Sequence, residues 1–154
     1  MRSRREESEN FLTELVCEFT VLGLPRPQGS HRAFMPKGAR FPVITDANRN
    51  LKQWRDLTSL VAQDYAPKEL VSSAVELRID FYFARPKSLP KKVNQHIKKP
   101  DLSKLIRSIE DSLTNIVWND DSQVVQVLAT KNYGTPRAEI AVYTIETRPK
   151  SVLS

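Results

Sequence analysis

Asp101, Asp111, Asp120 and Asp121 are the residues of this chain best equipped for chemistry. The chain has one cysteine, Cys17, and two histidines, His31 and His96, which excludes a thiolate zinc site and a histidine-rich one. Any bound metal must then rest on carboxylate oxygens, the ligands of hard ions such as Mg²⁺ or Mn²⁺. Carboxylates beside a cationic surface are what metal-dependent phosphodiester cleavage needs. The ion activates a water and screens the phosphate, and Lys or Arg stabilises the developing charge. On a helix, residues 101 and 111 are about 80° apart around the axis and about 15 Å apart along it. Asp101 and Asp111 therefore share an ion only if the helix bends. Asp120 or Asp121 meets either of them only if the following turn folds back. Each acid also has a plainer role: Asp101, after Pro100, as a helix N-cap, and Asp120-Asp121 as a solvated turn.

The cations have a pattern of their own. The net charge is +6 over 154 residues. Residues 85–99 hold Arg85, Lys87, Lys91, Lys92, Lys98 and Lys99 without one acid, and residues 25–40 hold Arg26, Arg32, Lys37 and Arg40, again without one. Two acid-free basic segments in a small domain point to a polyanionic partner, bound with a steep dependence on salt. His31 and His96 fall in these segments and are expected to meet phosphate or solvent.

The elements that must position these groups follow from hydrophobic period and breakers. Val16–Gly23 alternates as a strand, and the two prolines and glycine of residues 24–32 make a loop. Arg40–Thr45 is a short strand, with Pro42 marking it as an edge. Asp46 is placed to cap a helix running to Tyr65, with Leu51, Trp54, Thr58 and Val61 on its buried stripe and Leu57 and Leu60 widening it. Ala74–Ala84 is the clearest strand, alternating Val75, Leu77, Ile79, Phe81 and Phe83 with Glu76, Arg78, Asp80 and Tyr82. A long basic loop follows, punctuated by Pro86, Pro90 and Pro100. Asp101–Asn115 is a helix with Leu102, Leu105, Ile106, Ile109 and Leu113 on one face. After the acidic turn, Val124–Tyr133 and Ala138–Glu146 read as a hairpin around Gly134-Thr135-Pro136. Trp54 and Trp118 are expected to pack.

The order β-β-α-β-α-β-β predicts a single small α/β (α+β) domain, one mixed sheet with two main helices packed on it. Its span is 15–147, between flexible tails at 1–14 and 148–154. No apolar run approaches the ~20 residues of a membrane helix. The first ten residues lack the apolar region of a secretory signal. A cytoplasmic location, with no membrane and no nucleotide cofactor, is expected.

The segment from Lys99-Pro100-Asp101-Leu102-Ser103-Lys104 through Arg107 to Glu110-Asp111-Ser112-Leu113, then Trp118-Asn119-Asp120-Asp121-Ser122-Gln123-Val124-Val125, resembles the RusA family of Holliday junction resolvases. The family pattern is Pro-Asp-x-Asp-Asn-x-x-Lys-x-x-x-Asp-x-Leu, then Asp-Asp-x-Gln-Val. Gly23-x-Pro25-x-Pro27-Gln28 resembles the family's N-terminal loop, and the likeness spans about residues 17–146. It implies a homodimer, common in phages and prophages, that cuts branched DNA at four-way junctions by paired symmetric nicks. The expected cofactor is Mg²⁺, with Mn²⁺ as the alternative, and the products carry 3′-hydroxyl and 5′-phosphate ends.

The likeness also assigns residues. Asp101 and Asp121 match metal ligands, Asp120 and Asp111 match acidic positions, and Arg107 stands where the family has a catalytic lysine. Lys104 or Arg107 would stabilise the pentavalent phosphate, and Arg26, Arg32, Lys91, Lys92, Lys98 and Lys99 would hold the DNA backbone. Two departures make the site less negative, one by losing a carboxylate and one by adding an ammonium. Ser103 occupies the second metal-ligand aspartate position, and Lys104 occupies the asparagine position. They open an alternative expectation, a branched-DNA-binding homodimer with weak or absent cleavage.

Overall fold

The computed structural model describes residues 11–29, 32–35, 37–41, 43–45 and 49–147. Asp46, His31, Pro42 and residues 148–154 lie outside the described residues. The elements are β1 (Phe11–Leu22), β2 (Arg32–Phe34), β3 (Val43–Thr45), α1 (Arg49–Tyr65), β4 (Val75–Phe83), α2 (Leu102–Leu113), a 3₁₀ turn (Asp121–Gln123), β5 (Val124–Tyr133) and β6 (Arg137–Thr147). The four long strands form one mixed sheet in the order β1-β6-β4-β5, while β2 and β3 pair antiparallel as a separate ribbon. β1 begins at Phe11, so its first residues pair with β6 within the segment expected to be a tail. Among the described residues no helix is long and apolar enough to cross a membrane.

Alternation along β4 sorts the two faces of the sheet. Val75, Leu77, Ile79, Phe81 and Phe83 are buried beneath the helices with Phe19, Val21, Ile140 and Val142 of the neighbouring strands. The opposite face carries Glu76, Arg78, Asp80 and Tyr82. There Glu76, only 1% exposed, accepts from Arg78 Nε at 2.6 Å, and the Arg78 guanidinium lies 4.2 Å from the centre of the Tyr143 ring. A charge buried this deeply is tolerable because its partner and hydrogen bond are both present.

β5 and β6 are not a hairpin. β4 lies between them, parallel to β5 and antiparallel to β6. β4, buried along its length, is an interior strand with a ladder on each side. β5, arriving through the α2 crossover, lies parallel to β4. Residues 134–136 therefore pass over the end of β4, where Gly134 N–H donates to Phe83 O at 2.9 Å. A Cβ on Gly134 would stand 3.0 Å from Tyr82 Cδ1, so any larger residue at this crossing would have to displace the Tyr82 ring.

α1 buries Leu51, Trp54, Thr58 and Ala62, a narrow stripe at spacings of three and four. Leu57 and Leu60 are 39% and 63% exposed, against the wider stripe expected. Leu60 lies about 160° around the axis from Thr58, away from β1 and α2, the elements on which α1 chiefly packs. The two helices meet where Ser59 Oγ donates to Ser112 O at 2.9 Å. α2 buries Leu105, Ile109 and Leu113 completely, and Trp118, also fully buried, closes the end of this layer, as packing predicts.

Candidate active site

The exposed side of α2 and the turn beyond it carry the acidic groups. Asp101 occupies the N-cap position, but its side chain makes no capping hydrogen bond. Its carboxylate is half exposed, with Lys104 Nζ 3.7 Å from Oδ2. An open pair of this length contributes at most about 1 kcal/mol. Ser103, Lys104 and Arg107 are exposed, and Glu110 and Asp111 are partly buried at the other end of the helix. α2 runs unbroken from Leu102 to Leu113, so nothing brings Asp101 toward Asp111.

The Asp120-Asp121 turn is built by its own side chains. Asp120 Oδ1 accepts from Ser122 N–H at 2.8 Å, which holds its carboxyl below the usual carboxylate range. Gln123 Oε1 accepts from the N–H groups of Asn119 (2.9 Å) and Asp120 (2.8 Å), completing a reciprocal cap. Its Nε2 donates to Val71 O and Ser73 O at 2.8 and 3.0 Å, fastening the turn to the strand-like segment before β4.

The turn does fold back. Asp111, Asp120 and Asp121 line one cleft of about 360 Å³ together with Arg55, Thr114, Asn115 and Asn119. Asp101 is not in its lining. Glu110 adds a fourth acid to this pole. Burial raises its pKa, the negative charges of Asp121 and Asp111 raise it further, and Arg107 partly offsets them. Neither Glu110 nor Arg55 was singled out from the sequence. Glu110 follows Arg107 by three residues and precedes Asp111, a helical neighbourhood that could have flagged it. Arg55 comes from another helix and left no local signal.

Crowded negative charge, only partly offset by Arg55 and Arg107, and hard oxygen donors fit a divalent cation, the chemistry the acids were expected to serve. Among the described residues, however, no three acidic, His or Cys side chains gather closely enough to hold one.

The basic segments frame the α2 face. In the proline-rich stretch, Pro25 is buried and Gln28 N–H donates to Lys104 O at 2.9 Å, which lays the stretch against the first turn of α2. Arg26 lines a groove with Trp54 and Leu57 of α1. Arg32 begins β2. Lys91, Lys92, Lys98 and Lys99 are exposed on the 85–100 loop. His96 of that loop is not directed at solvent or phosphate as expected: its ring packs between those of Phe83 and Tyr133, each 4.9 Å away. Two aromatic rings on the helix-facing side at the strand ends attract it.

Two comparisons with known proteins bear on this arrangement. A Bacillus subtilis (strain 168) relative, "Uncharacterized protein YqaN", is 27% identical over 136 residues, covering 81% of this chain and 94% of that protein. The family model for endodeoxyribonuclease RusA matches residues 24–143. That span opens in the proline-rich stretch, ends in β6 and takes in every residue lining the acidic cleft. The chain belongs to the RusA endodeoxyribonuclease family of Holliday junction resolvases.

Proposed function

We propose that this chain is a metal-dependent endonuclease that resolves four-way DNA junctions by paired symmetric nicks, as a homodimer in the cytoplasm of the cell whose DNA it processes. The observation that carries the reading is the folding back of the Asp120-Asp121 turn onto the end of α2. It gathers Asp111, Asp120 and Asp121 at one cleft, beside a helix face that exposes Lys104 and Arg107.

Asp111, Asp120 and Asp121 line the cleft where Mg²⁺ or Mn²⁺ would bind, but these carboxylates stand too far apart in this structure to hold the ion together and would have to close on it; Asp101 supplies the other carboxylate of the α2 face. The ion, when bound, contributes Lewis acidity and a water of lowered pKa. Arg107 and Lys104 meet the charge that develops on the phosphate, Arg107 with a fixed fork of donors and Lys104 as a point charge. Lys91, Lys92, Lys98 and Lys99, with Arg26 and Arg32, hold the DNA backbone and give binding without base readout. A two-fold relation between two such sites matches the near-symmetry of a four-way junction.

The test is cleavage of a labelled synthetic junction against its linear duplex, in Mg²⁺, in Mn²⁺ and with chelator. Metal-dependent paired nicks in the junction alone, lost in Asp121→Asn while binding persists, support the nuclease. A specific pair of residues favours a second reading. Ser103 offers only a hydroxyl at a position the family fills with aspartate, and Lys104 lies 3.7 Å from Asp101. Tight junction binding without nicks in either metal would make the chain a branched-DNA-binding module.

A further inference from the structure

The 85–100 loop has no regular secondary structure, yet it is tied down along its length. Arg85 Nη1 and Nη2 donate to Val93 O and Pro90 O, both at 2.7 Å, and close the first half of the loop on itself. The same guanidinium lies 5.5 Å from the centre of the Tyr133 ring, whose other neighbour is the His96 ring. The last tie comes from the sheet: Lys131 Nζ, on β5, donates to Lys98 O at 2.8 Å and to Pro100 O at 3.0 Å.

Lys131 occupies an unexpected place for a lysine. It falls on the side of β5 shared by Val127, Ala129 and Tyr133, which faces the helices. Its ammonium is bound to carbonyls that flank Lys99 and immediately precede Asp101. On the other side of Asp101, its own carbonyl accepts from the N–H groups of Lys104 and Leu105 at 3.2 and 3.1 Å. The Asp101 side chain makes no capping bond. Apart from the Lys104 ammonium 3.7 Å away, the place of its carboxylate is therefore set by the main chain, and Lys131 fixes that main chain from the N-terminal side.

We infer that Lys131 is a positioning residue: it locks the end of the basic loop to β5, and so holds Lys98 and Lys99 toward DNA and Asp101 toward the α2 face in one geometry. The consequence for Asp101 rests on the nuclease reading, whereas the locking of the loop does not. Loss of a charged donor that bonds two carbonyls is enough for a change of roughly tenfold or more in a local opening equilibrium.

The experiment compares parent, Lys131→Met and Lys131→Arg by amide hydrogen exchange and by junction cleavage. In Lys131→Met, exchange over residues 95–100 is expected to rise about tenfold, while β4 and β6 keep their protection. The cleavage rate at saturating junction should fall, and half-maximal rate should need more Mg²⁺. Lys131→Arg keeps the donors and should recover most of both readouts. If Lys131→Met does not fold, Lys131→Gln, which keeps one donor group, takes its place. Unchanged exchange over residues 95–100 overturns the proposal, even if the parent is a nuclease. A parent that binds junctions without cutting them removes the nuclease reading, and the exchange data alone then decide the role of Lys131.

Discussion

Gln123 Nε2 donates to Val71 O at 2.8 Å, across a separation of 52 residues, while the opposite end of the same amide caps the Asp120-Asp121 turn. One side chain thus joins the acidic turn to the entry of the central strand. An amide suits this role because it offers an acceptor and two donor hydrogens at opposite corners of one planar group.

Gln123→Glu keeps the acceptor and replaces the donor with a second acceptor facing two carbonyls. The expected result is a loss of stability of about 1–3 kcal/mol, the usual cost of leaving such groups unpaired. Junction cleavage should fall beyond what lost stability explains, since Asp121 is no longer held at the cleft. Urea unfolding and cleavage by the folded variant well below its melting temperature separate the two effects. Unchanged stability would mean that the amide does not fasten the turn.

Glu110 predicts a pH dependence. Its pKa in the fold is raised above the ordinary 4.5, first by burial and then by Asp121 and Asp111. Ionising it therefore opposes folding: its favourable contribution is complete below about pH 4.5 and is lost as pH rises through the raised value. Glu110→Gln should melt at a higher temperature than the parent at pH 7 and at nearly the same temperature at pH 4. Millimolar Mg²⁺ should narrow the gap at pH 7 by relieving the same repulsion. An equal gap at both pH values would rule out the ionised carboxyl as its cause.

Ser103 and Lys104 predict a gain of function. Ser103→Asp returns a carboxylate two residues from Asp101, and Lys104→Asn removes the ammonium 3.7 Å from it. The double variant should bind Mg²⁺ at least about tenfold more tightly by calorimetry, given one added charge and one removed at partly exposed positions. Cleavage in Mg²⁺ should rise with it. If the affinity does not rise, the metal is held wholly at the Asp111–Asp121 cleft.

Much of this was legible in the chain because the signals were local. The period of α2, the alternation in β4 and the acidic motif each act over a few residues, and each element formed near its expected place. The split between β5 and β6 was not legible, because the three residues 134–136 suit a tight turn equally well. What distinguishes the two topologies is the pairing of β4 with both β5 and β6, a non-local fact. The contact of Gly134 with Tyr82 records that pairing only once the fold is known. His96 was misplaced for a similar reason: its basic neighbours suggested solvent, while its partners Phe83 and Tyr133 lie on two different strands. Lys131 did leave a trace, a cation at a position whose alternation called for an apolar side chain.

Cys17 offers a probe of the whole fold. It is 6% exposed, sits just past the register shift in β1 and faces Val142 on β6. Burial pushes its thiol pKa from 9.0 up to about 11. The native thiol is therefore both shielded and protonated at neutral pH, and alkylation should proceed only through opening of the β1–β6 pair. Because the pKa is raised on folding, its contribution to stability is complete below pH 9 and is lost as pH climbs toward 11. Iodoacetamide labelling at pH 7.5 is expected to be slow in the native protein and fast in urea, with a midpoint matching the loss of secondary structure. Fast labelling without urea would show that β1 opens independently of the core, and the ribbon formed by its first residues with β6 would then have to be a separately melting arm.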